Sequence, residues 1–194
     1  MKIIILGDII IDQYVYGTST RLSPEAPVPV VTQQSVTETL GGAGLVYNNL
    51  ANLGVDVDLF EYSHPKSTKT RVICDGHYIT RIDSDIIMEG NDTIGLISEI
   101  DFTQYDYALL IDYDKGLLGQ SVEIIKHINN TSNCKIIVDP KRAAHDYKGA
   151  WLVKPNGNEY SKFGFDSWNG NIITTNANES VSAILRDDFG DQEF

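Results

Sequence analysis

The chain has 194 residues, 15 Lys+Arg against 27 Asp+Glu, a formal net charge of −12 and 42% apolar residues. That size and composition suit one acidic globular domain with a core of its own. They exclude the broad basic footprint with which proteins neutralise nucleic-acid phosphates.

The apolar stretch after Met1 stops at Gly7-Asp8, and no run approaches the ~20 apolar residues of a membrane span. Cys74 and Cys134 fall in no metal-binding spacing. The expectation is a cytoplasmic protein, without disulfides, that contacts neither nucleic acid nor membrane.

Lys2 to Leu6 reads as a buried strand feeding a turn at Gly7-Asp8. Gln13 to Thr18 and Val28 to Gln34 are rich in Val and Tyr, and the prolines between them, Pro24 and Pro27, preclude a helix. Two strands joined by a stiff loop are predicted. From Gly41 to Gly54 the spacing becomes helical, with Leu45, Asn49 and Leu53 on one face and Val46 and Leu50 beside it. Val55 to Phe60 reads as a strand, and Asp75-Gly76 between Thr70–Cys74 and His77–Asp83 predicts a tight hairpin.

Thereafter strand and helix alternate: Tyr107 to Ile111 strand, Leu117 to Asn129 helix, then strands at Lys135 to Val138, Trp151 to Val153 and Ile172 to Thr175. This rhythm predicts an α/β domain with a mainly parallel sheet and helices on both faces. The segments at about 13–34 and 70–83 break the rhythm and are expected to form a separate small β-sheet. Nine acids and no Lys or Arg lie between Asp83 and Asp114, a run expected to be a solvated face. Lys135 to Lys154 carries five cations against Asp139 and Asp146.

Asp8 and Asp12 follow the first strand, at the carboxyl edge where open α/β sheets bind ligands. A carboxylate there serves either as a sugar-hydroxyl acceptor or as a turn cap. Gly41-Gly42-Ala43-Gly44 opens the first predicted helix, turning backbone amides to the same edge or simply allowing a close turn. No Gly-Lys-Ser/Thr follows, so this is not a P-loop.

In order from Gly7 to Glu159 stand GDIIIDQYVYG, RLSPEAPVPV, GGAGLVYNNLANLG, KTRVI, RID, DYDKG, VDPK and KPNGNE. This series resembles the ribokinase-like (PfkB) carbohydrate kinases, most closely the heptose 7-phosphate kinase branch. The resemblance implies a single ribokinase-like domain over 1–194, with a small β-sheet lid over an α/β core. It implies ATP and Mg²⁺ as cofactors, a sugar phosphate as substrate and a homodimer formed through the lid. Asp12, Gly41, Gly42 and Asn49 would hold sugar hydroxyls, and Lys69 and Arg71 the phosphate already on the sugar. Asn156 and Glu159 match the family's Asn-x-x-Glu, Glu159 being the candidate for organising the metal. Lys115, Asp139, Lys141 and Thr175 would flank the nucleotide phosphates, with helix-start or ion-pair roles as the alternative for the first three.

The chain departs from the family pattern at Leu45, where Asn is usual, and at Ala177 and Ser180, which stand for two glycines. The catalytic Gly-Ala-Gly-Asp is absent, and Asp188-Phe189-Gly190-Asp191 does not replace it. The expectation is therefore a kinase domain truncated at its C-terminus, with a non-catalytic sugar-phosphate-binding or dimerising module as the alternative.

Overall fold

The computed structural model describes residues 1–88, 93–176, 181–187 and 190–193; Ala177 to Ser180 and Asp188-Phe189 lie outside them. β1 (Lys2–Gly7) lies one strand in from an edge of the larger, eight-stranded sheet. It pairs in parallel with β4 (Asp56–Leu59) on one side and β7 (Tyr107–Ile111) on the other. Beyond β7 the parallel order continues through β8 (Lys135–Asp139), β9 (Leu152–Val153) and β10 (Asn171–Thr174). Two antiparallel strands, β11 (Ser182–Asp187) and β12 (Gly190–Glu193), complete that edge.

The four residues Ile3 to Leu6 explain why β1 lies inside: successive side chains leave opposite faces and all four are buried. Ile4 and Leu6 pack with Ile124, Ile125 and Ile128 of α3 (Ser121–Thr131). Ile3 and Ile5 pack with Ala43, Val46, Tyr47 and Leu50 of α1 (Ala43–Asn52) on the other face. The buried stripe of α1 therefore starts at Ala43 and follows the i, i+3, i+4, i+7 rule. Leu45, Asn49 and Leu53 form its exposed side.

The smaller sheet has the order β3-β2-β5-β6, from β2 (Ile9–Thr18), β3 (Thr32–Gly42), β5 (Ser67–Cys74) and β6 (His77–Ser84). The strand expected at Val28 to Gln34 instead starts at Thr32 and runs to Gly42, because Pro27 and Pro29 cannot donate to a ladder. Gly41 and Gly42 consequently end this strand, and the helix starts at Ala43. The β5–β6 hairpin turns at Asp75-Gly76, with φ of 51° and 80°, as the dipeptide predicts. Two short helices, α2 (Thr93–Ile97) and α4 (Gly157–Lys162), have no counterpart in the sequence reading. Among the described residues, no helix is long and apolar enough to cross a membrane.

Candidate functional site

The carboxyl ends of β1, β7, β8, β9 and β10 lie together, and the loops leaving them carry most of the candidate residues. Asp8 is not available to a ligand: it is 1% exposed. Its Oδ2 accepts the Tyr113 and Lys115 amides at 2.9 and 3.1 Å, and its Oδ1 the Leu117 amide at 3.2 Å. Burial raises its pKa against those three donors, so Asp8 is a buried clamp on the loop after β7.

Asp12 has a different fate four residues later. On β2 it is opposite Lys69 of β5, with Tyr14 opposite Arg71, so all four share one face of the small sheet. Arg71 Nη1 donates to Asp12 Oδ1 at 2.5 Å, and the guanidinium lies 5.3 Å from the centre of the Tyr14 ring. Gly41 completes this corner, since a Cβ there would collide with Asp12 Oδ2. Gly42, at φ 59° and ψ −132°, occupies backbone space closed to other residues, and its Cβ would meet the Asp8 carbonyl. The face looks toward the core, because Lys69 Nζ stands 5.9 Å from the centre of the Tyr113 ring. Asn49 is exposed near the far end of α1, and no described hydrogen bond joins its side chain to Asp12 or Arg71.

The second group forms around Glu159. Asn156 caps α4: its side chain accepts the Glu159 amide at 2.9 Å, and Glu159 Oε2 accepts the Asn156 amide at 3.0 Å. Glu159 Oε1 accepts from Lys141 Nζ at 3.1 Å. Thr175 bridges to Asn156, and its carbonyl accepts the Gly157 amide at 3.1 Å. Thus Lys141, Asn156, Glu159 and Thr175 are brought together. Lys115 is not part of this group; its ammonium pairs with Asp85 at 2.8 Å and its carbonyl accepts the Met88 amide, tying the segment after β6 to the core.

A cavity of about 580 Å³ is lined by Tyr113, Lys115, Lys141, Arg142 and Lys162 among others; of the candidate residues it takes in Lys115 and Lys141. A larger concavity of about 930 Å³ opens at the opposite end of the strands, between Met1, Tyr105–Tyr107 and Ser132–Lys135. It contains none of the candidate residues, and ligands of open α/β sheets bind at the carboxyl ends. Lys135 lies at that opposite end, 4.6 Å from the centre of the Trp151 ring, so the basic run from Lys135 to Lys154 is divided between both ends of the sheet. Lys141, Arg142 and Lys154 remain at the carboxyl edge, Lys154 pairing with Asp139 at 3.1 Å. Burial raises the Asp139 pKa, opposed by Lys154, and burial followed by Asp139 raises that of Tyr113.

Sequence reasoning missed the support beneath the cavity. Asp112 is 5% exposed, a correction to the solvated acidic run. Its Oδ2 accepts from Arg142 Nε at 2.9 Å and from the Tyr147 hydroxyl at 2.8 Å. The same hydroxyl accepts the Lys141 and Arg142 amides, each at 3.0 Å. Arg142 also donates to the Leu118 carbonyl and to Ser121 Oγ. The local signals were Asp112 standing at the carboxyl end of a strand and opening the DYDKG motif.

No family model matches the chain. In fold, the chain is similar to Escherichia coli phosphofructokinase-2 in its tetrameric inhibited form, at TM-score 0.66 and 13% identity over 99% of this chain and 78% of that one. It is also similar to Thermotoga maritima ribokinase, at TM-score 0.57 and 14% identity over 100% and 77% of the two chains. The chain has the ribokinase-like fold. A third ribokinase-like neighbour, Arabidopsis thaliana ribokinase complexed with ribose and ATP, gives TM-score 0.57 at 11% identity, covering 100% of this chain and 76% of that one. In sequence this ribokinase-like chain is similar to the bifunctional protein HldE of Nitratiruptor sp., 34% identical over 191 residues, and of Pasteurella multocida, 31% over 189. The alignments take in 83% and 82% of this chain but only 41% and 40% of those proteins, so it spans about two fifths of the length of these curated relatives.

Proposed function

We propose that the chain is a sugar kinase of the heptose 7-phosphate type, acting in the cytoplasm and transferring the ATP γ-phosphoryl group to a hydroxyl of a sugar phosphate. The observation that carries this reading is the Asp12–Arg71 pair against Gly41, together with the Lys141–Glu159 pair and the four cations Lys115, Lys141, Arg142 and Lys162 that line a cavity of about 580 Å³. Asp12 and the Gly41-Gly42 turn receive sugar hydroxyls; Lys69 and Arg71 receive the phosphate already present, for which Arg offers a bidentate fork. Asn49, matched by the motif, would extend the hydroxyl contacts from α1. Lys115, Lys141 and Thr175 attend the nucleotide phosphates.

The donor set around Glu159 fits magnesium held through water. Each carboxylate oxygen accepts one hydrogen bond and keeps acceptor capacity, while no cluster of three His, Cys, Asp or Glu occurs among the described residues. Mg²⁺ is commonly held by one or two carboxylates, waters and substrate phosphates. When bound it would neutralise charge on the nucleotide phosphates.

Gly-Ala-Gly-Asp does not occur in these 194 residues. Loss of a general base lowers a rate by roughly 10²–10⁴. The test is therefore binding first: calorimetry of ATP with Mg²⁺ and of heptose 7-phosphate, then ADP release. Failure to bind either ligand refutes the proposal.

A second reading, a non-catalytic module that dimerises through the small sheet, is favoured by that sheet's other face. Ile11, Val15, Val36, Val72 and Ile82 share it, with Val36 and Ile82 at 42% and 58% exposure. A second copy of the chain would cover it. A monomer in sedimentation equilibrium, unchanged by Ile82→Lys, would remove this support.

A further inference from the structure

On the face of the small sheet turned to the core, Arg71 of β5 stands directly opposite Arg81 of β6. Like charges opposed across a ladder repel unless a counter-charge is supplied. Here carboxylates supply it. Asp12 Oδ1 holds Arg71 at 2.5 Å, and Asp83 holds Arg81 through both oxygens, at 2.7 and 2.9 Å. The other oxygen of Asp12 rests against Gly41, where only a glycine leaves room. Lys69, on the same face and opposite Asp83, makes no direct ion pair among the described residues; the hydrogen bond from Lys115 lowers the pKa of Asp85, and the charge of Lys69 adds to that effect. The residue suited to accept sugar hydroxyls is thus already engaged by the residue suited to bind phosphate.

We infer that Asp12 and Arg71 form a latch opened by the substrate's own phosphate. The phosphate replaces the Asp12 carboxylate on the guanidinium, and the released carboxylate accepts hydrogen bonds from the sugar. The inference rests on the sugar-phosphate reading above and adds a rule of discrimination to it. An unphosphorylated sugar offers hydroxyls but no anion, so it competes with Arg71 for Asp12; a sugar phosphate supplies the replacement anion itself. Tyr14 beneath the guanidinium holds Arg71 in place while its partner changes. Lys69 adds a second cation two residues away.

The test is calorimetry of inorganic phosphate, a heptose and its 7-phosphate on the wild-type chain, Arg71→Gln and Asp12→Asn, with circular dichroism to check folding. Arg71→Gln should bind the 7-phosphate about 10–100-fold more weakly, having lost a charge-assisted contact. It should bind the unphosphorylated heptose up to about fivefold more tightly, because the competing ion pair is gone. Asp12→Asn should bind inorganic phosphate up to about fivefold more tightly for the same reason. A pair that only shapes the site gives the opposite sign, with every ligand weakened in both variants, and that result overturns the latch.

If the wild-type chain binds no heptose phosphate, the substrate reading fails, and the phosphate affinity of Asp12→Asn still decides the latch: tighter supports it, unchanged or weaker overturns it. Should Asp12→Asn not fold, the Arg71 guanidinium NMR signals of the wild type are followed under inorganic phosphate. Displacement supports the latch, and unperturbed signals overturn it.

Discussion

Tyr147→Phe removes a single oxygen from the buried hub below the cavity. The Tyr147 side chain is fully buried, and burial followed by Asp112 pushes its pKa up, so the hydroxyl keeps its proton and donates to Asp112. Without it the Lys141 and Arg142 amides lose their acceptor, while Asp112 keeps Arg142 Nε and the Asp114 amide. A buried donor left without a partner costs about 1–3 kcal/mol; Lys141 is exposed and Arg142 half-buried, so water recovers part of the loss and the two amides together should cost about 1–3 kcal/mol. At about 2–4 °C per kcal/mol for a chain of this size, Tm should fall by roughly 2–12 °C.

Urea unfolding at neutral pH reads the free energy and a thermal scan reads Tm. Nucleotide titration supplies the second readout. Lys141 is placed by the two amide bonds to Tyr147 and in turn holds Glu159, so affinity for ATP with Mg²⁺ should fall along with stability. A loss below about 0.5 kcal/mol with unchanged nucleotide affinity would refute the reasoning that one hydroxyl organises this loop.

Gly42→Ala places a Cβ against the Asp8 carbonyl at a backbone angle that L residues rarely adopt; it should cost about 1–3 kcal/mol or more in urea unfolding, and a neutral outcome would show that the turn can relax. Asp139, held by burial above its ordinary value of 3.8, binds its proton more tightly folded than unfolded. Its contribution to stability is therefore lost as pH rises from that value through the folded pKa. Asp139→Asn should flatten the fall in stability across this window, and identical slopes in the two proteins would sink the assignment. Glu159→Gln loses the charge that faces Lys141; it should cost about 1 kcal/mol and make ATP affinity insensitive to magnesium, measured by calorimetry with and without the ion.

What could be read from the sequence follows how local each signal is. The run Ile3 to Leu6, the Asp75-Gly76 turn and the strands at 107–111 and 135–139 carry their patterns within a few residues, and all are present. Ser35 to Thr39 of β3 is exposed and largely polar, so no alternation marks it as a strand; its pairing with β2 decides. In α4, six residues are too few for periodicity, and the Asn156–Glu159 pair, read only as a family motif, turns out to be the capping box that starts the helix. Asp112, Arg142 and Tyr147 are separated by 30 and 5 residues along the chain. Only the parallel pairing of β7 with β8 brings their loops together.

Asp8 and Asp12 show the same limit in one motif. In sequence they are two carboxylates after one strand, with identical chemistry. Asp8 falls at the break between β1 and β2, where the chain leaves the large sheet and the loop after β7 presents three amides. Asp12 lies inside β2, where the ladder to β5 sets a guanidinium one pair further on. Backbone amides are fixed donors that no ligand displaces without unfolding the loop, whereas a side-chain cation can change partners. The same residue type is therefore held by fixed backbone donors at position 8 and by an exchangeable side-chain cation at position 12, and the difference arises from what each strand is paired with.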